Sequence, residues 1–391
     1  MSPQRRYRPA HHPRAVPEIV QPKREIVPPP PQEPDYTVQA WAEAEAPTGL
    51  VPGYRIGTVA LAGQPNAGKS TLLNRLLGEK LAIVSQRPQT TRDNLRGILT
   101  TPDAQMVLLD TPGIHKARSP LNRAMIGQAV EALETADVVV IVVDAQKAVR
   151  WMRDHAVRPV VAKPADTTEA ELPEDAQDHE GFEEEAAKLQ LDQRIHPGDR
   201  RVVFSTLRYT TKYLIALNKV DIVKPRQLLP VMEALATLPD IGAIVPVSAW
   251  TADGLRELLK VIRTYLPEGQ PEFAADELTD RPLRWLCAEL VREQVFQQIR
   301  DEVPYGVVCE TELYEELADL SHVQVLVHVE KSAQRAILVG KDGARMKALA
   351  SAARAKMQTL IGRKVFLEVH VRIEPRWSER ADKLKEFGYL Q

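Results

Sequence analysis

The chain has 391 residues, with 51 Lys and Arg against 53 Asp and Glu, a formal net charge of −2 and 44% hydrophobic residues. That length allows two domains plus extra segments, in the composition range of globular proteins. No run of about 18 apolar residues occurs, so no helical membrane span is expected.

Residues 1–53 are rich in Pro, Arg and Glu, with the run Val27-Pro28-Pro29-Pro30-Pro31 and no hydrophobic periodicity. They read as a disordered or polyproline extension. Arg5, Arg6, His11 and His12 leave a nucleic-acid arm open beside the plainer reading of a solvated tail. The apolar core of a signal peptide is missing.

Next comes the apolar run Thr58-Val59-Ala60-Leu61-Ala62, a buried parallel strand by its pattern. Gly63-Gln64-Pro65-Asn66-Ala67-Gly68 follows as a loop, and Lys69 to Leu77 as a helix. Strand, glycine loop and helix in that order form the context of a phosphate loop. The glycines let backbone N–H groups converge on phosphates, and the helix start adds its positive dipole end. Gly63, Asn66, Ala67, Gly68, Lys69, Ser70 and Thr71 are the candidate phosphate contacts. Lys69 supplies charge and the Ser70 hydroxyl a Mg2+ ligand.

Downstream, Gln105 to Leu109 reads as a strand ending in Asp110-Thr111-Pro112-Gly113. Asp110 would orient a Mg2+-bound water and the Gly113 N–H would sense the γ-phosphate. Between these segments, Gln89-Thr90-Thr91-Arg92 is polar, and a threonine there can close over Mg2+ in the nucleoside-triphosphate state. Thr91 is favoured as that ligand, with Thr90 open as the alternative. Asp137 to Asp144 reads as another strand. Ala165 to Pro197 carries eleven Asp and Glu and cannot bury much, so an acidic insertion at about 165–200 is expected on the surface.

Tyr213 to Leu217 is a further strand, feeding Asn218-Lys219-Val220-Asp221. The Asp221 carboxylate suits the ring N–H and exocyclic amine of guanine. Adenine would leave it unpaired, a penalty on the order of 10⁴-fold. Asn218 would hold the loops together, and the Lys219 stem would lie across the base. Ala243 to Val247 leads into Ser248-Ala249-Trp250, whose N–H groups can meet the guanine O6. A phosphate loop alone leaves the base open; the pair makes GTP the expected ligand.

In the last third, Arg281 to Arg300 reads as a helix, and Val307–Thr311, Val323–Val329 and Arg335–Val339 as strands. Gly340-Lys341-Asp342-Gly343 then opens a helix to about Leu360, and Lys364–Val371 is a last strand. From Lys331 to Arg376 there are 11 Lys and Arg against 3 Asp and Glu, a basic surface hidden by the neutral total. The glycine turn lets a single strand of RNA approach, with Gly340, Lys341, Gly343, Arg345 and Lys347 as candidate contacts. Asp342 sets a negative charge inside that turn. Trp377 either stacks a base or anchors the end of the chain. Cys287 and Cys309 make neither a metal cluster nor a disulfide framework and read as small buried apolar residues of a reducing compartment.

Taken together, these segments resemble the Era family of bacterial ribosome-associated GTPases. GQPNAGKSTLLNRLLG, SQRPQTTRDNLRGI, DTPGIHK, NKVD, VSA and EPRWSERADKLKEFGYL stand in the family's order, from Tyr54 to Gln391 apart from one insertion. The resemblance implies an α/β fold: a P-loop GTPase domain with a mostly parallel sheet at 54–267, a linker at 268–280, and an α+β type II KH RNA-binding domain at 281–391. It implies GTP/GDP and Mg2+ held by Ser70, Thr91 and Asp110. Small-subunit ribosomal RNA and the 30S subunit are the implied partners of a cytoplasmic monomer, with room for peripheral membrane association. Ile114 stands where many GTPases place a water-orienting glutamine, which an apolar side chain cannot replace. Similar GTPases use a phosphate-loop asparagine and a bound K+ instead, and Asn66 matches that position; alternatively Asn66 only bonds its own loop. Hydrolysis would then fall to Lys69, Asn66, Thr91 and Gly113. A ribosome-assembly GTPase leads, with a GTPase coupled to RNA modification and an RNA-binding adaptor with a nucleotide latch as alternatives.

Overall fold

Strand β4 (Val138–Asp144) is apolar at every position but the last and buried at all of them. Its side chains alternate: Val138, Val140 and Val142 enter one core, and Val139, Ile141 and Val143 the other. A strand buried on both faces needs helices on both, the signature of a parallel α/β sheet. The computed structural model describes residues 52–85, 87, 90–92, 94–113, 119–155, 191–299 and 303–390. The expectations for the N-terminal extension, for Gln89 and Ile114, and for the acidic insertion up to residue 190 lie outside them.

Six strands make the first sheet: β1 (Arg55–Gly63), β2 (Leu95–Thr100), β3 (Ala104–Asp110), β4, β5 (Tyr213–Asn218) and β6 (Ile241–Pro246). Their order is β2-β3-β1-β4-β5-β6. Only β2, which the sequence reading did not single out, runs antiparallel, against β3. Helices α1 (Lys69–Leu77) and α6 (Leu255–Tyr265) cover one face. The other face is covered by α2 (Pro120–Thr135), α3 (Ala145–His155), α4 (Pro197–Leu207) and α5 (Pro225–Leu235). From β1 the chain passes to β3 on one side and β4 on the other. That switch point puts a ligand crevice beyond the carboxyl end of β1.

The segment 268–280 is tied to the first sheet. The buried Gln105 side chain accepts from the N–H of Glu272 (2.8 Å) and Phe273 (3.0 Å) and donates to the Phe273 carbonyl (2.9 Å). Ile98 N–H reaches the Leu278 carbonyl at 2.8 Å. What reads as a linker is thus an ordered strap.

The second sheet has the order β7 (Val308–Glu316), β8 (Ser321–Val329), β9 (Val365–Ile373), with β7 antiparallel and β9 parallel to β8. Helices α7 (Leu283–Gln298) and α9 (Ala344–Ile361) cover it through Cys287, Val291, Val295, Leu349, Ala353 and Met357. The strand expected at Arg335–Val339 is instead the end of helix α8 (Ser332–Val339). Gln334 caps its start, accepting from the N–H of Glu330 and Lys331, and only Leu338 is buried. A single inward apolar residue reads alike in a short strand and a short helix, and the capping decides it. Cys287 is fully buried, whereas Cys309 is half-buried; both are free thiols.

Trp377 settles into a cluster with Leu121, Ala124 and Met125 of α2 and with Leu384 and Tyr389 near the chain end. It is fully buried, and its indole N–H donates to the Gly306 carbonyl at 3.0 Å. The base-stacking reading therefore fails and the anchor reading stands. Trp377→Ala should cost about 3–5 kcal/mol of stability, read as a lowered urea midpoint. A midpoint equal to the unmodified protein's would mean that the cluster does not hold the chain end.

Candidate nucleotide site and nucleic-acid turn

The phosphate loop leaves β1 at Gly63, whose φ of 153° brings it close to β4; a Cβ there would lie 2.6 Å from the Val142 carbonyl oxygen. Asn66 sits at φ 64°, a left-handed conformation that asparagine tolerates better than most residues. Gly68, at φ 100°, is required more strongly: a Cβ would stand 2.3 Å from Asn218 Nδ2. The Lys69 ammonium curls under the loop onto the carbonyls of Gly63 (3.2 Å) and Gln64 (3.3 Å). Thr71 lies in the first turn of α1 and Ala67 is buried. Gly113 lies against Pro65, where a Cβ would find the ring at 3.0 Å.

Three oxygens converge beside this loop. Ser70 Oγ donates to Asp110 Oδ2 at 2.6 Å, and Thr91 Oγ1 donates to the same atom at 3.0 Å. The two hydroxyls are themselves 3.0 Å apart. Asp110 is fully buried, and its Oδ1 has no hydrogen-bond partner. A buried orphan carboxylate oxygen beside two hydroxyls is a donor set that suits Mg2+. Burial pushes Asp110 above the usual carboxylate range, against the pull of Lys69; burial likewise lowers the Lys69 ammonium. Thr90 points elsewhere, donating to the Arg87 carbonyl at 2.8 Å.

At the base end, Asn218 joins two loops. Its Nδ2 donates to the Ala67 carbonyl at 2.9 Å, and its Oδ1 accepts from Ala249 N–H at 3.0 Å. Lys219, at φ 68°, reaches the Asn66 carbonyl (2.8 Å) and Asp144 Oδ2 (2.6 Å). Asp221 is exposed, with Oδ1 accepting from Ser248 Oγ at 2.7 Å. The phosphate loop, Asn218, Lys219, Asp221, Ser248 and Ala249 are thus brought to one edge of the sheet.

Two arginines were missed by sequence reasoning. Arg75, near the end of α1, holds the base loop by donating to the carbonyls of Ala249 (3.3 Å) and Trp250 (2.5 Å). Arg92, directly after Thr91, is 2% exposed and buried in the other half of the molecule. Its guanidinium donates to the carbonyls of Val307 (2.6 Å), Pro304 (3.1 Å) and Tyr305 (2.8 Å). The rings of Phe296 and Trp377 flank it at 5.9 and 6.0 Å. No local pattern marks such residues, because their partners lie more than 170 positions away.

The glycine turn has Gly340 at φ 72° and Gly343 at φ 74°, with Asp342 also left-handed at φ 51°. Lys341, Asp342 and Lys347 are exposed. Arg345 turns back to cap α8 through the Ile337 carbonyl at 2.8 Å. Three basic residues of this region are engaged by acids outside it: Lys356 with Glu293, Arg363 with Glu316 and Arg372 with Glu312. The charge facing solvent is therefore smaller than the count suggests.

Comparison with known proteins agrees on both halves. Residues 58–169 match the family described as 50S ribosome-binding GTPase, and residues 302–378 match the KH domain. Fold and site thus define a P-loop GTPase joined to a KH domain. GTPase Era of Geotalea uraniireducens is 38% identical over 86% of this chain and 98% of its own length. GTPase Era of Stenotrophomonas maltophilia is 37% identical over the same shares. A crystal structure of Era with MgGDPNP and nucleotides 1506–1542 of 16S ribosomal RNA is 31% identical, covers 86% of this chain and all of that one, and has a TM-score of 0.71. The chain belongs to the Era family of GTPases.

The geometry separates the two threonines by experiment. Thr91→Ala should weaken Mg2+-dependent GDPNP binding by about tenfold, the value of one charge-assisted contact. Thr90→Ala should leave it near the unmodified value. Equilibrium titration with GDPNP at several Mg2+ concentrations checks this, and the reverse ranking would assign the ligand to Thr90.

Proposed function

We propose that this GTPase uses its nucleotide cycle to govern a grip on the 3′ region of small-subunit ribosomal RNA, and so aids maturation of the 30S subunit. The observation that carries this reading is Arg92. A segment expected to close over Mg2+ through Thr91 is fastened, one residue later, to three carbonyls of the RNA-binding half. The related Era structure bound to MgGDPNP and 16S RNA supports the same pairing of ligands. In this reading residues 54–267 are the GTPase domain, 268–280 the strap between domains and 281–391 the KH domain. The protein acts as a cytoplasmic monomer, with contact to the membrane surface left to family resemblance.

Each side chain has a part in the chemistry. Lys69 and the N–H groups of residues 66–71 bind the β- and γ-phosphates, while Gly113 senses the γ-phosphate. Ser70, Thr91 and Asp110 hold Mg2+, which neutralises charge on the phosphate oxygens when bound. Asp221 selects guanine, with Lys219 on the ring face and the Ser248–Ala249 loop at O6. Asn66 would help to hold K+, which would supply positive charge at the phosphates in place of a charged finger. Hydrolysis should accordingly run faster in KCl than in NaCl at equal ionic strength, and Asn66→Ala should erase the difference. Equal multiple-turnover rates of the unmodified protein in both salts would refute the role of K+.

Gly340, Lys341, Gly343, Arg345 and Lys347 form the RNA contact. Gly343 faces open space at φ 74°, so Gly343→Asp adds a charged side chain at the turn with left-handed strain but no steric overlap, and aspartate tolerates that conformation better than most residues. It should weaken binding of a single-stranded RNA of the 16S 3′ sequence. Asp342→Lys should strengthen binding and steepen the log K against log salt slope by about 1.4 units, two charges on a single strand. Unchanged affinity in both variants would place RNA elsewhere on the protein.

A further inference from the structure

The backbone of Gln64 helps to close the phosphate loop: its carbonyl accepts from Ala67 N–H at 3.2 Å and from Lys69 Nζ at 3.3 Å. Its side chain is held by another element. Gln64 Nε2 donates to Asp199 Oδ1 at 2.7 Å and lies 3.2 Å from His196 Nδ1. Both partners belong to the start of α4, where His196 Nδ1 also accepts from Gly198 N–H at 3.0 Å. The approach is close: a Cβ on Gly198 would stand 2.4 Å from Gln64 Oε1. A polar clasp therefore closes between α4 and the opening residue of the phosphate loop.

Asp199 is only 2% exposed, and no step of GTP hydrolysis uses it. A buried carboxylate has to be paired or neutral. Lys147 of α3 favours its charge, and Asp144 at the end of β4 opposes it while itself paired with Lys219 at 2.6 Å. Arg194, nearby, is bound to Asp192 at 2.6 Å. Around a small void beside Asp199, α5 contributes only Val231, Ala234 and Leu235. Burial outweighs these charges and pushes Asp199 up to about 7.

We propose that Asp199 is a positioning residue for guanine-nucleotide binding, holding the phosphate loop through the Gln64 amide and exchanging a proton as the site fills. The inference rests on the guanine-nucleotide reading of the site. Nucleotide phosphates bring negative charge to the loop, which disfavours a second anion behind it. Binding thus favours the protonated carboxyl, and by linkage affinity falls as pH rises through neutrality. The neutral carboxyl still accepts from Gln64, so the clasp persists while the charge changes.

The test is titration of the full chain with N-methylanthraniloyl-GDP at fixed Mg2+, at pH 6 and pH 8. Asp199→Ala and Gln64→Ala should each weaken binding about fivefold at pH 6, the loss of one buried hydrogen bond. Asp199→Asn keeps an acceptor for Gln64 and should recover to within about twofold of the unmodified affinity. It should lack the extra decline of about threefold towards pH 8 that the unmodified protein shows. Titration of the nucleotide's own phosphate is common to every variant and cancels in the comparison. Gln64 is half-buried, so Gln64→Ala serves even where Asp199→Ala fails to fold. Variants that bind like the unmodified protein, or an Asp199→Asn that keeps the full pH decline, would overturn the inference alone. Failure of the unmodified protein to bind GDP would overturn the nucleotide reading and the inference with it.

Discussion

One carboxamide fixes the distance between the two ends of the nucleotide site. Asn218 is 2% exposed and fastens the phosphate loop at Ala67 and the base loop at Ala249 with its two polar atoms. An amide carries a donor and an acceptor on separate atoms, so it can donate to one loop and accept from the other. Its position demands Gly68 opposite, where any Cβ would overlap Nδ2. Arg75 braces the same base loop from the end of the phosphate helix. The spacing of phosphate and base subsites is thereby a property of the carboxyl ends of β1, β5 and β6.

From that edge, the Mg2+ donor set extends towards the RNA-binding half. Asp110 gathers Ser70 and Thr91, and Arg92 carries the chain straight into the carbonyls of residues 304–307. A guanidinium with three acceptors and two flanking rings is costly to withdraw, since a buried charge left unpaired loses several kcal/mol. A second bolt lies nearby. Glu293 of α7, 1% exposed, is shared between Lys80 after α1 at 2.6 Å and Lys356 of α9 at 2.8 Å. Such buried ion groups add little net stability against an apolar replacement. They do define one arrangement of the two halves.

The Gln64–Asp199 clasp and the strap at 268–280 extend the same logic to segments that look peripheral in sequence. The strap lies along the sheet through the fully buried Gln105, and Trp377 pins the chain end to α2. Each joins segments far apart in the chain: α4 to the phosphate loop, 268–280 to β3, and Trp377 to α2. The glycine turn differs, because its geometry is local: two glycines and Asp342 at positive φ suffice to shape it.

The sequence alone determined the phosphate loop with its flanking strand and helix, the guanine motif, the glycine turn and the family, but neither β2 nor helix α8. Those signals are local: glycine at positive φ, a β-strand feeding a loop, charge at fixed spacing. Short apolar runs were less legible, and Arg335–Val339 reads as a strand until the caps of its helix are seen. Tertiary structure set Thr91 rather than Thr90 beside Ser70 and Asp110, and decided between stacking and anchoring for Trp377. It alone revealed Arg75, Arg92, Gln105 and Asp199 as fasteners. Their hydrogen bonds join residues far apart in the chain, and an arginine or an aspartate carries no local mark of the carbonyl or amide it will meet once the chain has folded.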